Sequence, residues 1–309
     1  MTLRIALALL VIVPAAMAYP WHSVTERWIL GVAVAVVLIV FGWWRGLFVT
    51  TMIARRFAVA RRNNSKPKSR PSNQVSVLLR VNDPAGVGLP LPLVGRYVDR
   101  FGIRCDKLRV TSRDKGGTRT TWIGMTLDAT ENLAALQARS PELPLYDTAE
   151  VVGRRLADHL RETGLEAVIV DDADAPLTVE GRETWTGFRD DLGFVSAYQL
   201  PVDDRLPERL AEVWARPTET WTALEFSGTT AHPTAAAVCA FRTTDAQTAP
   251  PLPWLVVHRG VQRPLLTELD PCSALQLGVT AGPLPAGLTD RVDWHVNSVN
   301  PSSLEQTRL

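Results

Sequence analysis

The sequence contains few cysteines and lacks the short motifs of several enzyme classes. Its three cysteines are far apart and form no C-x-x-C pair, so neither a disulfide framework nor a zinc site is indicated. The P-loop signature G-x-x-x-x-G-K-[ST], the G-x-S-x-G elbow and the H-E-x-x-H motif are all absent. The five histidines are scattered, and His159, on a predicted helix, is expected to be a surface or packing residue rather than a base. No residue is therefore predicted to be catalytic, and the chain is not expected to be a P-loop ATPase.

Charge is distributed unevenly along the 309 residues, although the formal net charge is only +1. Ten of the 33 basic residues but only one of the 32 acidic residues precede position 71, which leaves the remainder with a net charge of −8. Seven of the ten lie between Arg55 and Arg70, the basic collar, which contains no acid. An apolar head, a basic collar and an acidic body predict separate regions, and no nucleic-acid partner is expected.

The head contains an apolar segment long enough to cross a membrane. Residues 28–44 read "WILGVAVAVVLIVFGWW" without a charge, and after Arg45 the chain stays apolar to Ala54. Because a helix needs about 20 such residues to span a bilayer, a membrane span is predicted over about 28–50. Its length and basic flank argue against a buried helix of a soluble protein. The residues predicted to lie at the membrane interfaces are Trp21, Trp28, Trp43, Trp44 and Arg45.

An earlier apolar run raises the question of cleavage by signal peptidase. The segment from Ile5 to Val13 is followed by Ala16-Met17-Ala18, which has the small-x-small form that this enzyme cuts. The expectation is an uncleaved first span over about 3–19, with the N-terminus in the cytoplasm; cleavage before Tyr19 is the alternative. Lys and Arg near a span favour the cytoplasmic side, so both versions place the chain after the collar in the cytoplasm. A two-pass protein of the inner membrane is predicted.

Residues 55–73 are predicted to form a basic linker between the membrane hairpin (1–54) and the remainder (74–309). The later part, "RRNNSKPKSRPSN", is polar and contains proline, as linkers do. One interpretation is that its side chains bind anionic lipid head groups, at about 1 kcal/mol per basic residue near the surface. The other is that they only set the topology. The basic residues concerned are Arg55, Arg56, Arg61, Arg62, Lys66, Lys68 and Arg70.

Residues 74–309 are predicted to form one mixed α/β cytoplasmic domain. A first strand is expected over 74–81 because the segment is rich in β-branched residues. A hairpin is expected within 105–129, with its turn at Lys115-Gly116-Gly117. A glycine pair can also belong to a phosphate-binding loop, but the absence of the P-loop signature favours the turn.

The clearest helix in the sequence is predicted over 147–164. Asp147 and Glu150 have the spacing of a capping box, and Gly164 is placed to end the helix. The apolar stripe expected on it comprises Val152, Leu156 and Leu160. The next run, "LEAVIV" at 165–170, is expected to be a buried strand.

Two further features of the body affect its interpretation. The tetrapeptide "ETWT" occurs at 183–186 and at 219–222, each time at the start of a strand-like run. This repetition indicates either a degenerate duplication or a coincidence of strand composition. The tail from Pro283 is rich in Pro, Gly, Ser and Asn and is expected to pack loosely.

An acidic cluster follows the strand predicted at 165–170. Asp172-Ala173-Asp174 has the D-x-D form with which many sugar-nucleotide transferases hold a divalent metal. In open α/β sheets ligands bind beyond the carboxyl ends of strands, which is where this cluster is expected. The favoured interpretation is nevertheless structural, because Asp pairs are common in turns. Asp172 and Asp174 are therefore weak candidates for metal ligands, and no cofactor is expected.

The arrangement of the chain resembles that of a known protein family. Two spans in the first fifty-odd residues, the collar "ARRFAVARRNNSKPKSR" and an α/β body containing "RETWTGFRDD" resemble EccE, a membrane component of the mycobacterial type VII (ESX) secretion machine. The resemblance covers essentially the whole chain. The amino-acid sequence is most similar to that of the EccE of the ESX system that is linked to iron acquisition.

This resemblance implies a non-enzymatic structural subunit of an inner-membrane complex that contains EccB, EccC and EccD. EccC is the ATPase of that complex, which agrees with the missing P-loop here. The resemblance also implies a body with a glycosyltransferase-like fold but no activity. The family has no catalytic residues that could be matched to positions in this sequence.

The alternative function is a membrane-tethered glycosyltransferase-like enzyme that uses Asp172 and Asp174 to hold a metal and a nucleotide-sugar. The two hypotheses differ in what surrounds those carboxylates, which would converge on a pocket in the enzyme and form turns or ion pairs in a structural subunit. Gly42 and Gly46 have the G-x-x-x-G spacing that lets helices approach closely in lipid. They are expected either to contact other membrane subunits or to face lipid.

Overall fold

The computed structural model describes residues 9–10, 12–13, 16–17, 25, 27–28, 30–34, 43–44, 47–63, 73–178, 180–247 and 249–297. The chain divides into two compact units, Met1–Lys66 and Pro67–Leu309. Every described residue between Leu9 and Val34 is helical. After these come a strand β1 (Trp43–Trp44), a strand β2 (Leu47–Phe48) that pairs with it antiparallel, and a helix α1 (Val49–Asn63).

The end of the second expected span differs from the sequence-based prediction. The pairing of β1 with β2 means that the helix expected to reach about residue 50 does not run unbroken across Trp43–Phe48. Tryptophan and phenylalanine favour extended backbone, and the glycines at 42 and 46 are poor helix formers, which gives a physical reason for the difference. Among the residues described, no helix is both long enough and apolar enough to cross a membrane. Most of the two expected spans lies outside the described residues.

The body contains one large antiparallel sheet, which confirms a mixed α/β class in its coarse form. Its strands are β3 (Gln74–Asn82), β4 (Asp99–Arg100), β5 (Ile103–Lys115), β6 (Thr118–Asp128), β7 (Glu166–Val170), β8 (Arg182–Glu183), β9 (Phe188–Asp190), β10 (Gly193–Leu200), β11 (Thr220–Gly228), β12 (Pro233–Thr243), β13 (Val256–Val257) and β14 (Gly282–Pro283). Within the described residues the sheet has these twelve strands, and its main path runs β7-β3-β6-β5-β11-β12-β10-β9-β8. Strands β4, β13 and β14 pair with β5, β10 and β12 at its margins.

The first face of the sheet carries the larger hydrophobic core. Alternate strand residues such as Leu79, Val110 and Ile123 point to this face, because side chains alternate across a strand. They pack against helices and the C-terminal segment. The helices of the body are α2 (Leu91–Gly95), α3 (Leu133–Arg139), α4 (Leu145–Glu162), α5 (Leu206–Trp214), α6 (Gln262–Leu269) and α7 (Leu288–Arg291), with a 3-10 turn at Arg96–Val98.

The second face carries a smaller core under the segment 262–280. Residues such as Val195, Trp221 and Val238 from the strands meet leucines of α6. The remainder of this face is occupied by charged side chains, including Lys107 and Arg109, that are almost completely buried. Buried charges of this kind require partners.

Several sequence-based predictions are confirmed. Strands β5 and β6 form the expected hairpin, and its two turn residues, Gly116 and Gly117, have φ of 57° and 78°, as a tight hairpin turn requires. The stripe on α4 is buried, where each such side chain contributes roughly 1.5–3 kcal/mol. Cys105 and Cys239 are buried, and Cys272 is partly buried.

The start of the long helix was predicted wrongly. Helix α4 begins at Leu145, after Pro144, and has no side-chain cap. Asp147 therefore lies within the first turn, and the capping box expected for Asp147 and Glu150 is absent. Proline presets the backbone angle at a helix start, and this local signal outweighs the acidic one.

The strand before the acidic cluster was predicted in the right place, but its burial was predicted wrongly. Strand β7 lies at the end of the sheet path and pairs only with β3 within the described residues, and Val168 in its centre is 58% exposed. A short apolar run cannot by itself distinguish a central strand from an edge strand. Every strand pairing described is antiparallel, so the rule that places ligands beyond parallel strands does not apply to this site.

The C-terminal segment up to Asn297 is packed rather than loose. Trp294 is fully buried, and its ring meets Trp214 of α5 edge-on with centroids 5.2 Å apart. Leu288, Val292 and Val296 are also in the core. The loose tail was predicted from the high content of Pro, Gly, Ser and Asn. Composition does not show that a few apolar residues of this segment are placed where they enter the core.

Candidate functional site

The loop after β7 contains the two carboxylates that the sequence marked as weak metal candidates. Asp172 is exposed to solvent. Asp174 points to strand β5, where its Oδ2 lies 2.6 Å from Nη1 of Arg113. Within the described residues, no three His, Cys, Asp or Glu side chains come together in a way that could hold a metal ion. Asp174 is therefore part of an ion pair rather than of a ligand set.

Arg113 belongs to a larger ion network on the second face of the sheet. Its Nε and Nη2 donate to Oε1 of Glu219 at 2.9 and 2.5 Å. The other oxygen of Glu219 lies 3.3 Å from Nε of Arg242, and Nη1 of Arg242 donates to Asp190 at 2.6 Å. One carboxylate thus bridges two guanidinium groups, and each guanidinium binds a further carboxylate.

The two arginines of this network lie over one buried tryptophan. Trp221 is 1% exposed, and the guanidinium carbons of Arg113 and Arg242 lie 5.4 and 5.7 Å from its ring centre. The strand register places all three side chains on the same face. Arg242 also donates to the carbonyl of Pro176 at 3.0 Å. The network therefore fastens the loop after β7 to the sheet, which is a structural role.

A second cluster of charged residues is buried further along the same face. Nε and Nη2 of Arg109 donate to Oε2 of Glu225 at 2.9 and 2.5 Å. The other oxygen of Glu225 accepts from the backbone N–H of Leu277 at 3.0 Å. Nζ of Lys107 donates to the carbonyls of Ser273 and Leu275, each at 2.5 Å. Strands β5 and β11 are thereby bonded to the backbone of the segment 270–278.

The ionisation of this cluster follows from its burial. Burial, with the neighbouring Arg109 adding to it, lowers the pKa of Lys107 to about 6. At neutral pH the side chain is then an uncharged amine with two N–H donors, which matches the two carbonyls that it meets. Burial also raises the pKa of Glu268, whose Oε2 accepts from the N–H of Gly278 at 2.7 Å. A buried lysine of low pKa suits base chemistry, but both donors of Lys107 bind the protein's own backbone.

A groove runs along the edge strand β7. It has a volume of about 670 Å³ and lies among β3, α4 and β7. Its rim carries two ion pairs of α4, Glu150–Arg154 at 2.5 Å and Asp158–Arg161 at 2.6 Å. Arg161 also donates to the carbonyl of Ala167 at 2.6 Å, which covers part of the strand's open edge.

His159 lies at the other side of α4, where it has a packing role. Its Nδ1 is hydrogen-bonded to the hydroxyl of Tyr97, a residue only 1% exposed. This agrees with its expected role as a packing residue. Burial raises the pKa of Tyr97, opposed by Arg100 and Arg155.

The residues predicted for membrane contact are only partly described. Arg55, Arg56, Arg61 and Arg62 lie in α1 (Val49–Asn63), so the described part of the collar is helical. Trp28 is helical and 71% exposed, whereas Trp43 and Trp44 form β1. The other predicted residues lie outside the described residues: Trp21, Gly42, Arg45, Gly46, Lys66, Lys68 and Arg70. The strand pair beside Gly42 and Gly46 is not the continuous helix that a G-x-x-x-G contact requires.

The two charged clusters were not anticipated from the sequence. A signal was present in β5, where Lys107, Arg109 and Arg113 occupy alternate positions and so share one face of a strand. Such a pattern is typical of a face exposed to water. In the folded chain the segment 262–280 packs over this face of β5, so its charged side chains form an internal polar layer.

Comparison with known proteins identifies the family of a chain with this architecture. Residues 116–200 match the family described as "Putative type VII ESX secretion system translocon, EccE". The chain is 52% identical over 289 residues to the ESX-3 secretion system protein EccE3 of Mycolicibacterium smegmatis, with 93% of each chain covered. It is 45% identical over 304 residues to the proteins of the same name in two strains of Mycobacterium tuberculosis, with 94% of this chain and 91% of each relative covered.

The resemblance inferred from the head, the collar and the body is confirmed by these matches. Relatives of this identity align with nearly the whole chain, so the matches are not limited to one shared segment. The chain therefore belongs to the EccE family of type VII (ESX) secretion system proteins.

Proposed function

We propose that the chain acts as a non-enzymatic structural subunit of an inner-membrane ESX complex, in which it supports assembly and protein export. The observation that carries this proposal is the nearly full-length match to ESX-3 secretion system proteins. The proposed partners are EccB, the ATPase EccC and EccD. The name of the relatives, ESX-3 secretion system protein, favours the ESX-3 system as the one that the chain serves, and with it the link to iron acquisition that the resemblance implies.

The membrane arrangement is part of the same proposal. Residues 1–54 would form a two-pass anchor, residues 55–73 a basic segment near anionic lipid head groups, and residues 74–309 a cytoplasmic body. The apolar run 28–44 and the absence of acid between Arg55 and Arg70 support this orientation, since basic residues favour the cytoplasmic side.

The non-enzymatic role is supported by the bonding of the body's buried charged groups. Asp174, Arg109, Glu225 and Lys107 each bind another part of the same chain. The enzyme alternative, a metal and a nucleotide-sugar held by Asp172 and Asp174, receives no support from this arrangement. A glycosyltransferase-like fold likewise receives none from a sheet whose described pairings are all antiparallel.

The proposal is tested by affinity purification of the tagged full-length chain from its own membranes in mild detergent. We expect EccB, EccC and EccD to co-purify, and deletion of the gene to abolish export through the system while in-trans expression restores it. Purification of the chain without any ESX subunit, with export intact in the deletion strain, would contradict the proposal.

A further inference from the structure

The turn between β4 and β5 has an unusual residue at its tip. Asp99 pairs with Arg104 and Arg100 with Ile103, so the loop consists of Phe101 and Gly102 alone. Both have positive φ, 57° and 71°, as a type I′ turn requires. Asn-Gly is the favoured pair in such turns, because a residue with a bulky side chain is strained at positive φ. Phenylalanine is therefore kept at a position that disfavours it.

The strain does not serve to bury the ring of Phe101. The side chain is 53% exposed, and it is held at the surface by two arginines. The guanidinium carbons of Arg100 and Arg155 lie 4.8 and 5.2 Å from its ring centre. The ring of Tyr97 meets it edge-on at 6.3 Å. We refer to Arg100, Phe101 and Arg155 as the Phe101 tip.

The base of the tip is rigid. Tyr97 is buried, and its hydroxyl donates to the carbonyl of Arg155 at 3.1 Å and bonds to His159. This joins the 3-10 turn before β4 to the turn of α4 that carries Arg155. The two arginines come from different elements, and both lie close to one ring, so little side-chain freedom remains to be lost when a partner binds.

The charges of the tip are not neutralised within the described part of the chain. Neither Arg100 nor Arg155 forms an ion pair there, whereas the nearby Asp158 is paired with Arg161. A guanidinium that lies over a ring leaves its N–H groups available at its edge, and their planar fork matches a carboxylate. Aromatic residues, phenylalanine among them, and arginine are both enriched at protein interfaces relative to the rest of the surface.

We propose that the Phe101 tip is a docking site for an acidic segment of a neighbouring subunit in the same complex. The ring of Phe101 would enter an apolar contact, while Arg100 and Arg155 bind carboxylates at its edge. The inference rests on the proposed function, since it names the surface by which this subunit meets another. Backbone strain of this kind is found most often at binding and active sites.

Site-specific photo-crosslinking within the whole complex tests this docking site. A benzophenone amino acid is placed at Phe101 in the tagged full-length chain, and adducts are identified after irradiation of cells. The control position is Leu143, another exposed residue with positive φ, 51°. We expect Phe101, and not Leu143, to give an adduct with an Asp- or Glu-containing peptide of another ESX subunit. The double variant Arg100→Glu with Arg155→Glu should reduce that adduct about tenfold or more.

The alternative outcomes each have a defined meaning. An adduct with lipid, with a second copy of this chain, or with no other molecule while EccB, EccC and EccD still co-purify would overturn the docking site and leave the proposed function standing. Failure of the unsubstituted chain to co-purify with any ESX subunit would refute the proposed function first, and the docking site with it.

A second pair of variants separates contact from folding. Phe101→Asn and Leu143→Asn each introduce a residue that tolerates positive φ. We expect both chains to keep their midpoint of thermal unfolding within about 2–4 °C. Only Phe101→Asn should lose co-purifying subunits in a high-salt wash. If Phe101→Asn instead lowers the unfolding midpoint further and retains all subunits, the tip serves folding alone and the proposal is wrong.

Discussion

Arg113 and Asp174 form an ion pair in which Nη1 and Oδ2 lie 2.6 Å apart. The pair joins the loop after the edge strand β7 to β5, near the centre of the sheet. Asp174 remains 59% exposed, while Arg113 is 16% exposed. A half-exposed pair of this kind contributes little free energy, so its main effect is to fix where the loop lies.

The first prediction concerns this acidic loop. Replacement of both carboxylates, Asp172→Ala with Asp174→Ala, should leave complex assembly and export unchanged, because no chemistry is expected at either side chain. The free energy of unfolding should fall by no more than about 1 kcal/mol. Co-purification and an export assay measure the first effect, and urea unfolding of the detergent-solubilised chain measures the second. Lost export from a fully assembled variant complex would revive the enzyme hypothesis.

The second prediction concerns the buried pair Arg109–Glu225, whose side chains are 2% and 4% exposed. Glu225→Ala should lower the free energy of unfolding by about 3–5 kcal/mol, because it leaves the guanidinium buried without its carboxylate. The control is Glu150→Ala, which removes the same group from the exposed pair with Arg154 and should cost about 0.5 kcal/mol or less. Urea unfolding curves measure both. Equal losses in the two variants would show that the buried pair is not worth more than a surface pair.

The third prediction is a dependence of stability on pH that comes from Lys107. Its pKa is about 6 in the folded chain and about 10.4 in an unfolded one. Between these values the unfolded chain binds more protons, so Lys107 makes stability rise with pH, by up to about 1.4 kcal/mol per pH unit. Between pH 7 and pH 9 the free energy of unfolding of the unsubstituted chain should therefore rise relative to that of Lys107→Met.

The matched control for this effect is Lys115→Met, because Lys115 is 58% exposed and should show no such trend. Urea unfolding at a series of pH values gives the change of the unfolding free energy with pH. The substitution also leaves the carbonyls of Ser273 and Leu275 without their donor, but this penalty is the same at every pH and does not affect the slope. Parallel pH profiles for Lys107→Met and the unsubstituted chain would mean that Lys107 stays protonated in the fold.

The two copies of "ETWT" show what local sequence can and cannot predict. At 219–222 the tetrapeptide opens β11, whereas after Glu183 the N–H of Thr184 donates to the carbonyl of Gly187 at 2.8 Å and closes a turn. The difference lies in the next residue. A Cβ at Gly187 would come within 2.8 Å of the carbonyl oxygen of Val195, so only glycine permits that close approach. At the equivalent position after the second copy, Ala223 continues strand β11.

The internal polar layer could not be predicted for a different reason. Alternation in β5 is typical of a strand with one polar face. Whether that face meets water or the segment 262–280 depends on contacts between residues more than 150 positions apart, such as Lys107 and Ser273. Local periodicity carries no information on such contacts. The strands, the hairpin and α4 were predictable, and the partners of the charged residues were not.

The last prediction concerns the orientation of the chain in the membrane, which the collar is proposed to set. Single cysteines are placed at Ser23, in the link between the two proposed spans, and at Ser72, beyond the collar, in a Cys272→Ser background because Cys105 and Cys239 are buried. A membrane-impermeant thiol reagent applied to intact cells should label the first position but not the second. After the membrane is permeabilised, both should be labelled, which controls for reactivity. The physical reason is the seven basic residues without an acid between Arg55 and Arg70, which favour retention on the cytoplasmic side. Labelling at Ser72 in intact cells would place the body outside and refute the proposed topology. Labelling at neither position in intact cells would contradict an external link and thus the two-pass anchor.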